Sequence, residues 1–145
     1  MGRVAFFIDG GYLDRVLRDE FNGVRINYQR FGEAVLGELH PDAQLLRAYY
    51  YHCLPYQSNP ATPDESRRFA AQQNFFDAMK RIPRFEVRLG KLARRGPDQQ
   101  GKYWFEQKMV DVLLSVDMVL LSAKKQVTDI VLLTGDSDVL PAVIL

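Results

Sequence analysis

Aspartates stand directly after two apolar segments that have the composition of buried strands. Asp9 follows residues 4–8 and precedes two glycines, while Asp136 and Asp138 follow residues 130–133 with one Thr-Gly step between. An aspartate in this position often caps the helix that comes next. If the two strands are parallel neighbours, however, their carboxylates converge and repel one another unless a hard cation lies between them. We therefore expect a divalent metal ion at this edge.

A predicted helix over residues 107–124 adds Lys108, Asp111 and Asp117. At about 100° per residue, Lys108 and Asp111 share a face, whereas Asp117 is rotated by roughly 120° from Asp111 and rises about 9 Å further on. Asp111 is therefore the better metal ligand. A capping or supporting role for Asp117 remains as plausible as coordination. Lys108 either pairs with Asp111 or holds a phosphate.

The elements that would position these residues alternate between strand and helix. Strands are predicted at residues 3–8, 45–54, 85–89 and 130–133, and helices at 12–21, 28–39, 63–82 and 107–124. Thr62, Pro63 and Glu65 predict the start of the third helix through a capping box. Residues 91–105 predict a hairpin or an excursion from the sheet. The alternation predicts an α/β fold with a mainly parallel sheet covered on both faces, with ligands at the carboxyl ends of the strands.

Length and composition restrict the function classes. A chain of 145 residues with 47% hydrophobic residues suits one domain over residues 1–145. Its apolar runs are far shorter than the roughly 20 residues of a membrane span, so we expect no membrane partner. The first residues lack a signal-peptide pattern, which predicts a cytoplasmic protein. Cys53 is the only cysteine, which excludes an intrachain disulfide and thiolate-rich zinc sites, so oxygen must hold any metal.

Positive charge is concentrated in one stretch. Residues 80–108 hold nine basic and three acidic residues, an excess of +6, although the whole chain has a net charge of only +1. This pattern indicates either a footprint for phosphate groups or a solvated face. The candidate residues for this phosphate footprint are Arg88, Lys91, Arg94, Arg95 and Lys102.

Three motifs together resemble the NYN domain of the PIN-like nuclease superfamily. They are Phe7-Ile8-Asp9-Gly10-Gly11-Tyr12-Leu13, then Lys108-Met109-Val110-Asp111 with Asp117, then Thr134-Gly135-Asp136-Ser137-Asp138 followed by Pro141. The resemblance implies a Rossmann-like, PIN-like three-layer sandwich and metal-dependent cleavage of RNA. It matches Asp9, Asp111 and Asp136 to the family's metal-binding acids and makes Asp138 an accessory ligand. Tyr12 departs from the asparagine, and Val139 from the aromatic residue, that many relatives have.

Relatives continue beyond the region of Pro141, and the apolar residues 141–145 have the composition of a helix that is beginning. We therefore expect a C-terminally truncated domain that lacks its last helix and strand.

The leading hypothesis is a ribonuclease that uses Mg²⁺ or Mn²⁺ at Asp9, Asp111 and Asp136, with RNA as partner and a homodimer as an allowed assembly. The alternative is a non-catalytic RNA or nucleotide binding module of the same fold. An aspartyl phosphatase ranks last, because Gly11 occupies the place of its second aspartate. Ser137 lacks a neighbouring histidine and is kept as an accessory residue.

The remaining candidates have simpler structural explanations. His40 and His52 are isolated in the sequence, which favours structural roles. The aromatic residues at 49–51 and 103–105 could stack on exposed bases, but strand packing explains most of them.

Overall fold

The computed structural model describes residues 2–39, 41–135 and 143, without the side chains of Gln107 and Lys108. In chain order the elements are β1 (Arg3–Asp9), α1 (Gly10–Glu20), α2 (Tyr28–Leu39), β2 (Gln44–Cys53), α3 (Pro63–Lys80), β3 (Phe85–Arg95), β4 (Trp104–Lys108), α4 (Val110–Ala123) and β5 (Asp129–Leu133). The predicted alternation of strands and helices is therefore confirmed in this part of the chain.

The strands form one sheet in the order β4-β3-β2-β1-β5. The four strands β3, β2, β1 and β5 run parallel to one another, and β4 runs antiparallel to β3. Ile8 pairs with Leu133, so β1 and β5 end side by side. The two strands that precede the aspartate motifs thus share one carboxyl edge.

Helices cover both faces of the sheet. Successive strand residues point to opposite faces, so Phe7 and Tyr51 pack with α4, while Ile8 and Tyr50 pack with residues of α1, α2 and α3. Six consecutive residues of β1 are buried, as expected for a central strand covered on both sides. The architecture is therefore an α/β sandwich, as the sequence predicts.

Side-chain caps mark the starts of two helices: α3 begins at residue 63 as predicted, whereas α1 begins at Gly10, two residues before its predicted start. Thr62 accepts a hydrogen bond from the backbone N–H of Glu65, and the Glu65 side chain accepts one from the backbone N–H of Thr62. This reciprocal pair is the predicted capping box. Asp9 caps α1 in the same manner, by accepting the backbone N–H of Tyr12.

The later part of the basic stretch, from Lys91 to Lys108, folds as an antiparallel hairpin. The strand β3 pairs with β2 as far as Gly90, and from Lys91 it continues beyond the parallel sheet to pair with β4. It therefore extends to Arg95, well past the predicted end at residue 89. Asp98 stabilises the turn by accepting the backbone N–H groups of Gln100 and Lys102.

The helix predicted over residues 107–124 begins three residues too early. Lys108 ends β4, Met109 has a positive φ of 73°, and α4 begins only at Val110. The prediction that Lys108 and Asp111 share a helical face is therefore wrong.

In the described part of the chain, no helix combines the length and apolar character that crossing a bilayer demands.

Candidate active site

Asp9 lies at the end of β1 and is only 7% exposed. Its Oδ1 accepts the Tyr12 backbone N–H at 3.2 Å, and its Oδ2 accepts the Thr134 hydroxyl at 3.1 Å. Within the described ranges it is the one charged side chain that is buried, and no cationic side chain pairs with it. A buried carboxylate without a counter-charge is costly, so this position favours a cation.

Asp111 lies in the first turn of α4 and lines the same pocket as Asp9. Carboxylate oxygens suit Mg²⁺ and Mn²⁺, and the two hydrogen bonds of Asp9 leave further lone pairs for a ligand role. The residues that the structure describes nevertheless contain no group of three or more His, Cys, Asp or Glu side chains placed to hold a metal. Two of the three predicted acids therefore meet at one pocket.

Asp136, Ser137 and Asp138 lie outside the described residues. Gly135, which immediately precedes Asp136 in the sequence, lines the pocket that contains Asp9 and Asp111. The described chain therefore leads to this pocket from β5.

Two glycines at the edge allow the elements to approach closely. A Cβ atom on Gly10 would lie 2.5 Å from the Tyr50 ring, and one on Gly135 would lie 2.5 Å from the Tyr12 ring. Both distances are too short for any other residue without a shift of the neighbouring ring. The close approach explains why glycine stands beside the acidic residues at each strand end.

His52 and Asp14 form a pair that the sequence did not reveal. The Nε2 atom of His52 lies 2.7 Å from Oδ2 of Asp14, and its Nδ1 accepts the backbone N–H of Cys53 at 2.7 Å. Both side chains line the pocket of Asp9 and Asp111. The signal that could have found them is their position, since Asp14 lies one turn into α1 and His52 lies near the end of β2.

Arg15 and Arg18 of α1 also line this pocket and were likewise not predicted. Arg18 pairs with Asp19 at 3.0 Å, whereas Arg15 has no ion pair among the described residues. Arg15 thus brings an available positive charge to the acidic pocket.

Asp117 belongs to a separate cluster that joins α4 to the sheet. It accepts the Tyr51 hydroxyl at 2.7 Å and two hydrogen bonds from Arg88 at 3.0 and 2.8 Å. Burial and the hydrogen bond to Asp117 raise the pKa of Tyr51. Burial alone would lower the pKa of Arg88, but the charge and the hydrogen bonds of Asp117, together with Tyr51 and Glu86, outweigh burial and raise this pKa. This geometry favours a supporting structural role for Asp117. The hydrogen bonds to Asp117 also engage the guanidinium of Arg88, which the sequence analysis placed among the candidates for phosphate binding.

The other predicted basic residues lie on the hairpin, whose Leu92, Phe105 and Glu106 line the acidic pocket. Lys91, Arg94 and Lys102 are exposed, while Arg95 pairs with Glu106 at 3.3 Å. The positively charged hairpin therefore lies beside the carboxylates.

Comparisons with known proteins agree with this architecture. The family model described as NYN domain matches residues 3–144. A crystal structure of a protein of unknown function from Vibrio parahaemolyticus is similar in fold, with a TM-score of 0.61 and 19% sequence identity over 99% of this chain and 72% of that chain. No curated protein matches this sequence significantly. Since the family model covers essentially the whole sequence, the chain belongs to the NYN domain family, whose members are generally ribonuclease-like.

Proposed function

We propose that the pocket of Asp9 and Asp111 is the active site of a PIN-like, metal-dependent endoribonuclease that hydrolyses RNA phosphodiester bonds. The observation that carries the proposal is the buried carboxylate of Asp9, which has no cationic partner in the described part of the chain and lines one pocket with Asp111. Membership of a generally ribonuclease-like family supports the same reaction class.

The ion would be held by Asp9, Asp111 and Asp136, with Asp138 as an accessory ligand. All four supply oxygen, which suits Mg²⁺ or Mn²⁺. When bound, such an ion neutralises charge on the phosphodiester and activates water for attack. Lys108 and Ser137 stay in the proposal as accessory residues.

The described residues would prepare this site in three ways. The Tyr12 N–H and the Thr134 hydroxyl orient the two oxygens of Asp9. Arg15 lines the pocket and gives it a positive charge that would attract a phosphate group. The hydrogen bond between His52 and Asp14 joins β2 to α1 and thereby helps to hold the start of α1 beside the site.

A cleavage assay tests the proposal. A panel of labelled structured and single-stranded RNAs is incubated with the parent and with Asp9→Asn, Asp111→Asn and Asp136→Asn, with and without Mn²⁺. We expect Mn²⁺-stimulated cleavage by the parent and a loss of about a hundredfold or more in each variant.

Asp77→Asn is the matched control, because Asp77 is an exposed aspartate on α3 and does not line the pocket. It should cleave as the parent does. RNA binding by the parent without metal-stimulated cleavage would instead establish the non-catalytic binding module. The cytoplasmic location and the homodimer stay predictions.

A further inference from the structure

The hairpin exposes a row of aromatic side chains beside the acidic pocket. Tyr103 and Trp104 are each 45% exposed, and Phe105 is 50% exposed. Because side chains alternate along a strand, Trp104 points to one face of β4 and Phe105 to the other. Phe105 contacts Tyr56, with the two ring centroids 5.4 Å apart. Packing therefore leaves about half the surface of Phe105 available to a ligand.

Arg94 joins this aromatic cluster without an acidic partner. Its guanidinium lies 3.8 Å from the centroid of the Tyr103 ring and 5.8 Å from that of Tyr56. No hydrogen bond or ion pair involves its side chain among the residues that the structure describes, in contrast to Arg88 and Arg95. The aromatic rings thus hold a planar cation whose N–H donors remain available for an anion.

The position of the cluster limits what can bind there. Phe105 lines the pocket that also contains Asp9 and Asp111, so a ligand on the cluster is continuous with a ligand in the pocket. Lys91 and Lys102 of the same hairpin are exposed and add positive charge. An occupant must therefore offer negative charge to Arg94 and a flat apolar face to Phe105. A nucleic acid strand offers both.

We infer that Tyr56, Arg94, Tyr103 and Phe105 form a subsite for an unpaired base and its phosphate, next to the scissile bond of a single-stranded RNA. Bases inside a duplex are stacked on their neighbours and cannot present a free face, which is why the subsite requires a single strand. The inference rests on the proposed function. It adds that the RNA is single-stranded at this subsite, and it names the residues that bind the unpaired base and its phosphate.

Binding measurements in EDTA separate the subsite from the chemistry. The probes are a fluorescent single-stranded RNA, the same strand annealed to its complement, and the same strand with abasic nucleotides, each followed by fluorescence anisotropy. We expect the parent to bind the intact single strand most tightly. Phe105→Leu should weaken binding of that strand about tenfold and leave binding of the abasic strand unchanged.

Arg94→Ala should weaken binding of the intact and abasic strands alike and flatten the salt dependence, because fewer counterions are released. Arg95→Ala should have a smaller effect, since Arg95 already pairs with Glu106. The control for Phe105→Leu is Phe21→Leu, which changes a phenylalanine that is 57% exposed at the C-terminal end of α1. This control should bind every probe as the parent does.

Equal affinity of Phe105→Leu and the parent for the single strand would overturn the subsite, as would duplex binding as tight as single-strand binding. Loss of self-association in Phe105→Leu with unchanged RNA binding would also overturn it, by assigning the cluster to a second copy of the chain. If the parent shows the expected binding pattern but no Mn²⁺-stimulated cleavage, the ribonuclease proposal fails while the subsite stands. If the parent cleaves and Phe105→Leu binds and cleaves equally well, only the subsite fails.

Discussion

Asp9 caps α1 and is also a proposed metal ligand, and these two roles make different demands on its charge. As the cap of α1 it needs only an oxygen that accepts the Tyr12 N–H, which asparagine supplies equally well. In its proposed role as a metal ligand, Asp9 needs the negative charge that makes its burial costly. The charge therefore matters to the proposed site and not to the helix.

The first prediction separates these duties with Asp9→Asn. In EDTA the variant should be as stable as the parent or more stable by about 1 kcal/mol, because the cap remains and a buried charge is removed. Mn²⁺ should raise the free energy of unfolding of the parent and have little effect on the variant. Urea unfolding with and without Mn²⁺ measures both quantities. An equal Mn²⁺ response in both proteins would remove Asp9 from the metal site.

The second prediction concerns Asp117, whose side chain is 13% exposed and accepts hydrogen bonds from Arg88 and Tyr51. Asp117→Ala leaves both donors without their partner, so we expect a loss of about 2 kcal/mol in unfolding free energy. Cleavage per folded molecule at saturating Mn²⁺ should remain near that of the parent. A large rise in the Mn²⁺ concentration needed for half-maximal cleavage would show instead that Asp117 is a ligand.

At the residue scale, the sequence predicts that Asp9 lies at the end of a strand and that Asp111 lies in a helix, because both positions depend on local patterns. The partners of Asp14 and Asp117 could not be predicted. His52 lies 38 residues from Asp14, and Arg88 lies 29 residues from Asp117. Such pairs depend on which strand lies beside which helix, and no local periodicity contains that information.

At the element scale, the start of α4 shows where local patterns fail. Apolar residues recur at helical intervals from Val110 onward. Residues 107–109 contain no Gly or Pro, so the sequence gives no signal that the helix begins only after them. The interruption comes from Met109, whose positive φ of 73° lets the hairpin strand turn into the helix. An L-residue in this conformation is strained, and its side chain type gives no warning.

This strain leads to the third prediction. Met109 is 53% exposed, so its side chain contributes little burial. Met109→Gly should raise the unfolding free energy by about 0.5–1 kcal/mol, because glycine adopts a positive φ without steric cost. Met109→Ala is the matched control and should give no such gain, since alanine keeps the Cβ atom. Chemical denaturation measures the unfolding free energy of both variants. Equal values would show that the backbone at this position is not strained.

At the scale of the whole molecule, alternation of strands and helices predicts a parallel sheet but not its order. The site depends on that order, because β5 returns to lie beside β1 and brings Thr134 to Asp9. Adjacency of β1 and β5 was a condition of the predicted metal site and is confirmed. The position of β4 at the edge, paired to an extended β3, follows from the hairpin and places the aromatic cluster beside the pocket.

The last prediction concerns the dependence of global stability on alkaline pH. Tyr50 and Tyr51 are buried at the centre of the sheet, on opposite faces. Burial raises the pKa of both side chains, and for Tyr51 the hydrogen bond to Asp117 adds to the effect. In the unfolded chain a tyrosine loses its proton near its ordinary pKa of about 10. Above that pH the folded state therefore binds more protons than the unfolded state, and stability must fall as pH rises.

Urea unfolding from about pH 8 to about pH 11 should show this decline in the parent. In Tyr51→Phe the slope above about pH 10 should become less negative, by up to about 1.4 kcal/mol per pH unit, because one raised pKa has been removed. The same change is expected for Tyr50→Phe, because burial raises the pKa of the Tyr50 side chain as well. A double variant with the slope of the parent would show that these tyrosines ionise alike in both states, and that the centre of the sheet does not shield them as the structure indicates.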